Sequence, residues 1–336
     1  MSSNASAVAS NLLSPITLSF CLGLCARLVR SELSVPKDIY AGISLFLLFA
    51  LGLKGGVELA EAPFQSIAGP ACATVVIGCL TPLMAFALLR KIGKLSVADS
   101  AGIAAHYGSV SAVTFIAAQS FVTELLVTRP DLPPLEGYLP TLLALLESPG
   151  IHIALALGVF LGSGARGRST KSLLHEVLTG RTMMLLVGGL IIGSLIGHKN
   201  WEMVAPLYDP KGGIFKGLLC IFLLEMGIVA ASRLNDFRKV GVRLLVFGIS
   251  IPILNAILAI VIGNLSGLSL GGTAVLAAMA ASASYIAAPP AVRITLPDAN
   301  PSYYLTLSLA ITFPFNIIVG IPLYFEMADR YFAFVQ

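Results

Sequence analysis

Two adjacent prolines, Pro289 and Pro290, stand where a membrane-length apolar run should continue. They sit in the stretch Ala280-Ala-Ser-Ala-Ser-Tyr-Ile-Ala-Ala-Pro-Pro-Ala-Val292, which closes a run beginning near Gly271. Proline has no backbone N–H and clashes with the preceding turn, so a helix must break or kink there. In hydrocarbon the freed peptide groups need partners, and irregular backbone survives only where protein buries it or water wets it. A second stretch, Gly108-Ser-Val-Ser-Ala-Val-Thr114, repeats the Ser-x-Ser spacing in the other half of the chain. The expectation is that these two segments face each other and form a small polar site inside a membrane transporter.

The bilayer follows from composition. Charged residues make up 11% of the 336 residues and hydrophobic ones 57%, with a mean hydropathy of +0.90. Soluble domains carry about 25% charged residues. Apolar runs of about 20 residues suit spanning helices, and the alternating segments of an outer-membrane barrel are absent. The net charge of +4 is small and dispersed, which excludes nucleic acid as a partner. Five cysteines, all in apolar runs and without zinc spacing, read as small packing residues. The polar, non-basic Met1 to Asn11 segment argues against a cleaved signal peptide.

Ten spans are expected, at about 12–30, 38–58, 67–89, 97–122, 137–162, 181–198, 212–232, 240–264, 270–292 and 302–325. With the N-terminus outside, fifteen of the 21 Lys and Arg fall in cytoplasmic loops, as the positive-inside rule requires. Both termini then lie outside.

The two halves match each other. Gly42-Ile-Ser-Leu-Phe-Leu-Leu-Phe-Ala-Leu-Gly52 resembles Gly217 to Gly227 at an offset of 175, and Ile92-Gly-Lys-Leu-Ser96 resembles Ile262 to Ser266 at 170. Ser109 and Ser111 pair with Ser282 and Ser284 at 173; Tyr138, Thr141, Pro149 and Ile153 pair with Tyr303, Thr306, Pro314 and Ile318 at 165. Five spans per repeat is an odd number, so the second repeat runs inverted. The fold expected is all-α: ten transmembrane helices as two inverted five-helix repeats, residues 1–165 and 166–336, with the site at their interface.

Candidate anion ligands are Ser109, Ser111, Thr114, Ser282 and Ser284. Helix N-termini freed by a break offer N–H donors and a positive dipole end to an anion. Unwound carbonyls and hydroxyls offer oxygen to a hard cation such as sodium. Glu147, ahead of Ser148-Pro149-Gly150, is a carboxylate at membrane depth, which costs roughly 2.5–3.5 kcal/mol and marks a functional position. Its repeat mate is Thr312, with Asn316 nearby, so Glu147, Thr312 and Asn316 are candidates for cation ligation or proton exchange, joined by Ser111 and Ser284. The competing reading pairs Glu147 with His152. Glu225 faces a translocation cavity or pairs with Lys54 or Arg233. His106 reads as a core histidine, and Lys54 with Glu58 as an i,i+4 ion pair. No catalytic motif and no Cys/His cluster occurs, so neither an enzyme nor a bound cofactor is expected.

On these residues the chain resembles the sodium-dependent bicarbonate transporter family. The resemblance rests on Leu53-Lys-Gly-Gly56, Gly108 to Ser111, Pro206-Leu-Tyr-Asp-Pro210, Phe215-Lys-Gly-Leu-Leu219, Arg238-Lys-Val240, and above all Ser269 to Gly272 running through Ala281 to Pro290 and Pro297 to Ser302. It implies an inner-membrane sodium:bicarbonate symporter with sodium as coupling ion, and a fold like that of the bile-acid sodium symporters. Spans 3–5 and 8–10 would form a core domain, with spans 4 and 9 discontinuous and crossing; spans 1, 2, 6 and 7 would form a gate. It also implies a homotrimer and a PII-like cytoplasmic regulator. Where the family has Asp-Ile-Ser-Gly before the prolines this chain has Tyr285, Ile286, Ala287 and Ala288, which places Tyr285 in the substrate pocket. The alternatives are a sodium- or proton-coupled carrier of another small anion or carboxylate, and a transport-inactive sensor.

Overall fold

The computed structural model describes residues 13–162, 179–233 and 237–335. Among these the secondary structure is helical throughout, without strands. In chain order the helices are α1 (Pro15–Leu28), α2 (Lys37–Glu61), α3 (Phe64–Lys91), α4 (Val97–Tyr107), α5 (Ala112–Thr128), α6 (Leu139–Glu147), α7 (Pro149–Leu161), α8 (Arg181–Tyr208) and α9 (Gly213–Ser232). They continue with α10 (Gly241–Leu265), α11 (Leu270–Ala280), α12 (Ala288–Thr295) and α13 (Pro301–Val335).

Eight segments among the described residues are long and apolar enough to cross a bilayer. The first and ninth expected spans fall short of the roughly 20 residues a crossing takes: α1 has 14 residues and α11 has 11. The short α11 is one arm of a broken segment. Spans four and five are also interrupted, at Gly108–Ser111 and at Ser148.

The two broken segments are built alike. Ser96 caps α4 by accepting the Asp99 N–H at 3.0 Å, and Ser269 caps α11 by accepting that of Gly272 at 3.0 Å. Such caps satisfy amides that the first turn leaves open. Each capped helix has eleven residues. Two positions before each cap the chain turns left-handed, at Lys94 (φ 54°) and Gly267 (φ 88°). These counterparts lie 173 residues apart, the Ser-x-Ser spacing. The sequence match that set Ser96 opposite Ser266 is therefore three residues out of register here; Ser269 does the capping.

Helices from the two ends of the chain pack through glycine. α1 lies on α9, where a Cβ on Gly23 would come 1.9 Å from the Leu224 carbonyl oxygen and one on Gly227 would come 2.1 Å from that of Phe20. α2 lies on α8, with Gly52 and Gly56 against Gly189 and Gly193. Small residues four apart let two backbones touch, which substitutes for hydrophobic attraction inside a membrane. The remaining helices gather around α4 and α11: α4 packs on α3 and α7, and α11 on α5, α10 and α13. In α13 the helix widens to π-helical turns at Thr306–Thr312 and Asn316–Gly320, on either side of Phe313-Pro314-Phe315. Pro314 lacks the amide that an α-helical ladder needs there.

The basic 163–178 stretch, including Arg166, Arg168 and Lys171, lies outside the described residues. All five cysteines are unpaired.

Candidate functional site

The break in the first segment spans Gly108 to Ser111, and that in the second spans Ala281 to Ala287. The prolines do not end a helix. Pro289 and Pro290 occupy the first turn of α12, where a missing amide costs nothing and the fixed φ suits a start. The unwound residues precede them.

The breaks meet. The Ser111 N–H donates to Ser282 Oγ at 2.8 Å, and the Ser284 N–H donates to the His106 carbonyl at 2.8 Å. Ser282 Oγ donates in turn to the Met279 carbonyl at 2.7 Å. Ser109 Oγ donates to the Glu147 carbonyl at 2.9 Å. Glycine makes the last approach possible: a Cβ on Gly150 would lie 1.8 Å from the Gly108 carbonyl oxygen.

The hydroxyls, more than the bare helix ends, are the donors left over. Ser111 Oγ accepts the Thr114 N–H at 3.3 Å, and Ser284 Oγ accepts those of Ala287 and Ala288 at 3.3 Å. With prolines next in line, α12 presents no free amide, which revises the picture of two open N-termini aimed at one point. Ser111 and Ser284 act as acceptors in these contacts and keep their own protons. Tyr285 Oη is buried beside the Ser111 hydroxyl, near enough to interact with it, and engages no other partner.

Ser111, Ser284, Tyr285 and Glu147 line one narrow cavity of about 30 Å³, room for about two waters. The rest of its lining is mostly apolar, with Leu47 and Leu48 from α2, Ile116 from α5 and Phe222 from α9, and adds the hydroxyls of Ser44 and Thr182. Glu147 is 3% exposed and its carboxylate makes no hydrogen bond or ion pair among the described residues. His152 is not its partner, since His152 Nδ1 bonds the Ser148 carbonyl at 2.8 Å. A second cavity of about 250 Å³, reaching Arg181, shares Glu147, Thr182 and Ile286 with the first. Those three residues form the partition.

Thr312 and Asn316 do not line that cavity. They stand behind it, in a buried polar layer under the carboxyl ends of α4 and α11. Tyr107 Oη and Thr312 Oγ1 are 2.6 Å apart, and Thr312 Oγ1 donates to the Gly248 carbonyl at 2.7 Å. Asn316 Nδ2 donates to the Ala281 carbonyl at 2.9 Å, while Asn316 Oδ1 accepts from Tyr324 at 2.7 Å. Sequence reasoning missed Asn255 on α10, whose Nδ2 reaches the Ala280 carbonyl at 3.0 Å and that of Tyr107 at 3.4 Å. Its Oδ1 is buried without a partner, as is Thr114 Oγ1. A lone asparagine in an apolar span is itself the overlooked signal.

Residues 15–329 match the family model of the Na+-dependent bicarbonate transporter superfamily. The chain belongs to that family. No curated protein matches it. A Na+-dependent bicarbonate transporter of this family is a multi-pass membrane protein, and the apolar helices and buried hydroxyl cluster described above are consistent with that class.

The other candidates fall elsewhere. Glu225 accepts the Val35 N–H at 3.1 Å, tying the α1–α2 loop to α9. Lys54 pairs with Glu58 at 2.5 Å and lies 5.3 Å from the Trp201 ring centre, away from the breaks. His106 is fully buried, its Nδ1 2.8 Å from the Gly102 carbonyl and its ring stacked on Tyr304.

Proposed function

We propose that the chain carries bicarbonate together with sodium by alternating access, with no enzymatic step. The observation that carries this reading is the meeting of two helix breaks, which leaves the hydroxyls of Ser111, Ser284 and Tyr285 with protons to donate in one cavity. Three donors in one cavity suit an anion, and a mostly apolar wall strengthens each contact by limiting water. Ser109, Ser282 and Thr114 shape this anion site, Ser109 and Ser282 through hydrogen bonds that hold the breaks in place.

Sodium needs oxygen ligands. The negative ends of α4 and α11, the free Oδ1 of Asn255 and the free Oγ1 of Thr114 supply that chemistry. Asn316 and Thr312 brace the same layer, and Glu147 closes the charge balance from the cavity side.

In this reading α1, α2, α8 and α9 form the gate and the other helices the core, moving against each other around the cavity. The glycine-packed pairs α1–α9 and α2–α8 support treating the gate as one body. Leu47, Leu48 and Phe222 of the gate helices wall the cavity, so in this reading loading goes with such a movement. The two halves would be inverted repeats in a cell inner membrane, termini outside, as a trimer, with a cytoplasmic PII-like regulator. One sodium with one bicarbonate is electroneutral, so a tenfold sodium gradient supplies about 1.4 kcal/mol, enough for about tenfold accumulation.

Uptake of radiolabelled bicarbonate into proteoliposomes tests the assignment. It is expected to need sodium and to vanish in the Ser111→Ala, Ser284→Ala double variant. Uptake indifferent to sodium would defeat it. The apolar wall favours one second reading, a short organic carboxylate, which competition by acetate and propionate would reveal.

A further inference from the structure

The central cavity holds an unusual combination of free valences. On one side stand three hydroxyls whose protons are uncommitted, Ser111, Ser284 and Tyr285. On the other stands Glu147, a buried carboxyl group with no hydrogen bond or ion pair among the described residues. A pocket for a simple anion needs donors alone; an acceptor left without a partner in it is unfavourable unless the ligand also donates.

Bicarbonate is such a ligand. Two of its oxygens share the negative charge and accept hydrogen bonds, and the third carries a proton and donates. Formate, acetate and nitrate have the accepting oxygens and lack the donor. We propose that Glu147 is the specificity-determining residue of this transporter, accepting the hydroxyl proton of bicarbonate while Ser111, Ser284 and Tyr285 donate to its other two oxygens. The proposal rests on the bicarbonate reading above and deepens it.

The surroundings fit this role. Ser109 Oγ holds the Glu147 main-chain carbonyl at 2.9 Å, and Pro149 starts a new helix two residues later, so the side chain leaves the end of α6 at a fixed place. The rest of the lining is mostly apolar, with Leu47, Leu48 and Phe222; besides Glu147 it adds only the hydroxyls of Ser44 and Thr182, weaker acceptors than a carboxyl oxygen. A carboxyl group keeps an accepting oxygen whether or not it is ionised, so the contact does not require two negative groups in one cavity. Carboxylates that reject a missing hydroxyl do so because they are left unpaired, the strongest form of selection a binding site has.

Ionisable groups on the elements around Glu147 are Tyr285 at the second break, Arg181 at the start of α8, His152 on α7, Cys79 on α3 and Tyr40 on α2. None of them is hydrogen-bonded to it. The competing role is purely structural, an acid that holds the α6–α7 kink.

The two roles separate in a competition experiment on the full-length protein in proteoliposomes. Binding of bicarbonate and of formate is measured in sodium for the unmodified protein, Glu147→Leu and Glu147→Gln. The expected result is a loss of about 10- to 100-fold in bicarbonate affinity for Glu147→Leu, with formate affinity changed by less than about threefold. Glu147→Gln keeps a carbonyl acceptor and is expected to fall between. Equal losses for both anions, or none for either, would overturn the assignment of Glu147 and leave bicarbonate transport standing. Failure of the unmodified protein to bind bicarbonate would instead remove the underlying reading and this proposal with it.

Discussion

The backbone N–H of Ser111 and the side-chain oxygen of Ser282 lie 2.8 Å apart, and that bond is the direct link between the two helix breaks. Ser282 is fully buried and passes its own proton to Met279. The bond therefore carries position from one half of the chain to the other: a shift of either break displaces the amino end of α5 and the carboxyl end of α11 together.

Ser282→Ala leaves the Ser111 amide buried without an acceptor, which costs about 1–3 kcal/mol. Thermal unfolding in detergent should show a lowered Tm, and transport should fall in step. An unchanged Tm would mean that water or a shifted backbone replaces the hydroxyl.

Asn255→Leu removes two ties to carbonyls and the free Oδ1. The sodium concentration for half-maximal uptake should rise by about tenfold or more, equivalent to about 1.4 kcal/mol. Sodium titrations of bicarbonate uptake decide it, and a variant with the sodium requirement intact would exclude Asn255 from the cation layer.

Gly56→Ala drives a Cβ to 2.1 Å from the Leu190 carbonyl oxygen. Overpacking of this kind costs about 1–3 kcal/mol or more, and the yield of folded protein should drop. Gly42→Ala on the same helix meets nothing within 4 Å, and should stabilise by up to about 1 kcal/mol through helix propensity. Size-exclusion profiles after heating compare the pair directly.

Outside the membrane helices, hydrogen bonding to Arg129 holds the Asp131 carboxyl below its ordinary value. A depressed folded value means stability present above the ordinary aspartate range of about 4 and lost as pH falls through and below it. Asp131 is fully exposed, so solvent screens the pair. Asp131→Asn should therefore lower Tm only slightly at pH 7, and that small difference should vanish as the pH falls below about 4.

Much of the site was legible because proline and paired serines in an apolar run have few structural meanings. The Ser-x-Ser pairs at 109/111 and 282/284 do lie at the breaks. The role of Pro289 and Pro290 was read backwards, since proline both stops a helix and starts one, and only the unwound Ala281–Ala287 segment tells which. Glu147 was visible as a charge at depth, and its lack of a partner was not, because that depends on where His152 turns. Thr312 and Asn316 are cation-ligand candidates from the sequence, as Glu147's repeat mate and its neighbour; that they stand behind the cavity depends on the π-helical turns of α13, of which Pro314 is the one trace in the sequence. Gly52, Gly56, Gly189 and Gly193 are plain in the sequence as spacings of four, yet spacing does not name the partner helix.

The glycine contacts have a consequence for biosynthesis. Gly23 seats against Leu224 and Gly227 against Phe20, so α1 meets this neighbour only after about 200 more residues have been made. Until then its close-packing face is open to lipid or to whatever insertion factor shields it. A chain cut at its midpoint would strand α1 and α2 on one fragment and α9 and α8 on the other, so neither fragment holds a complete partner set, and assembly of these pairs has to wait until α8 and α9 are made.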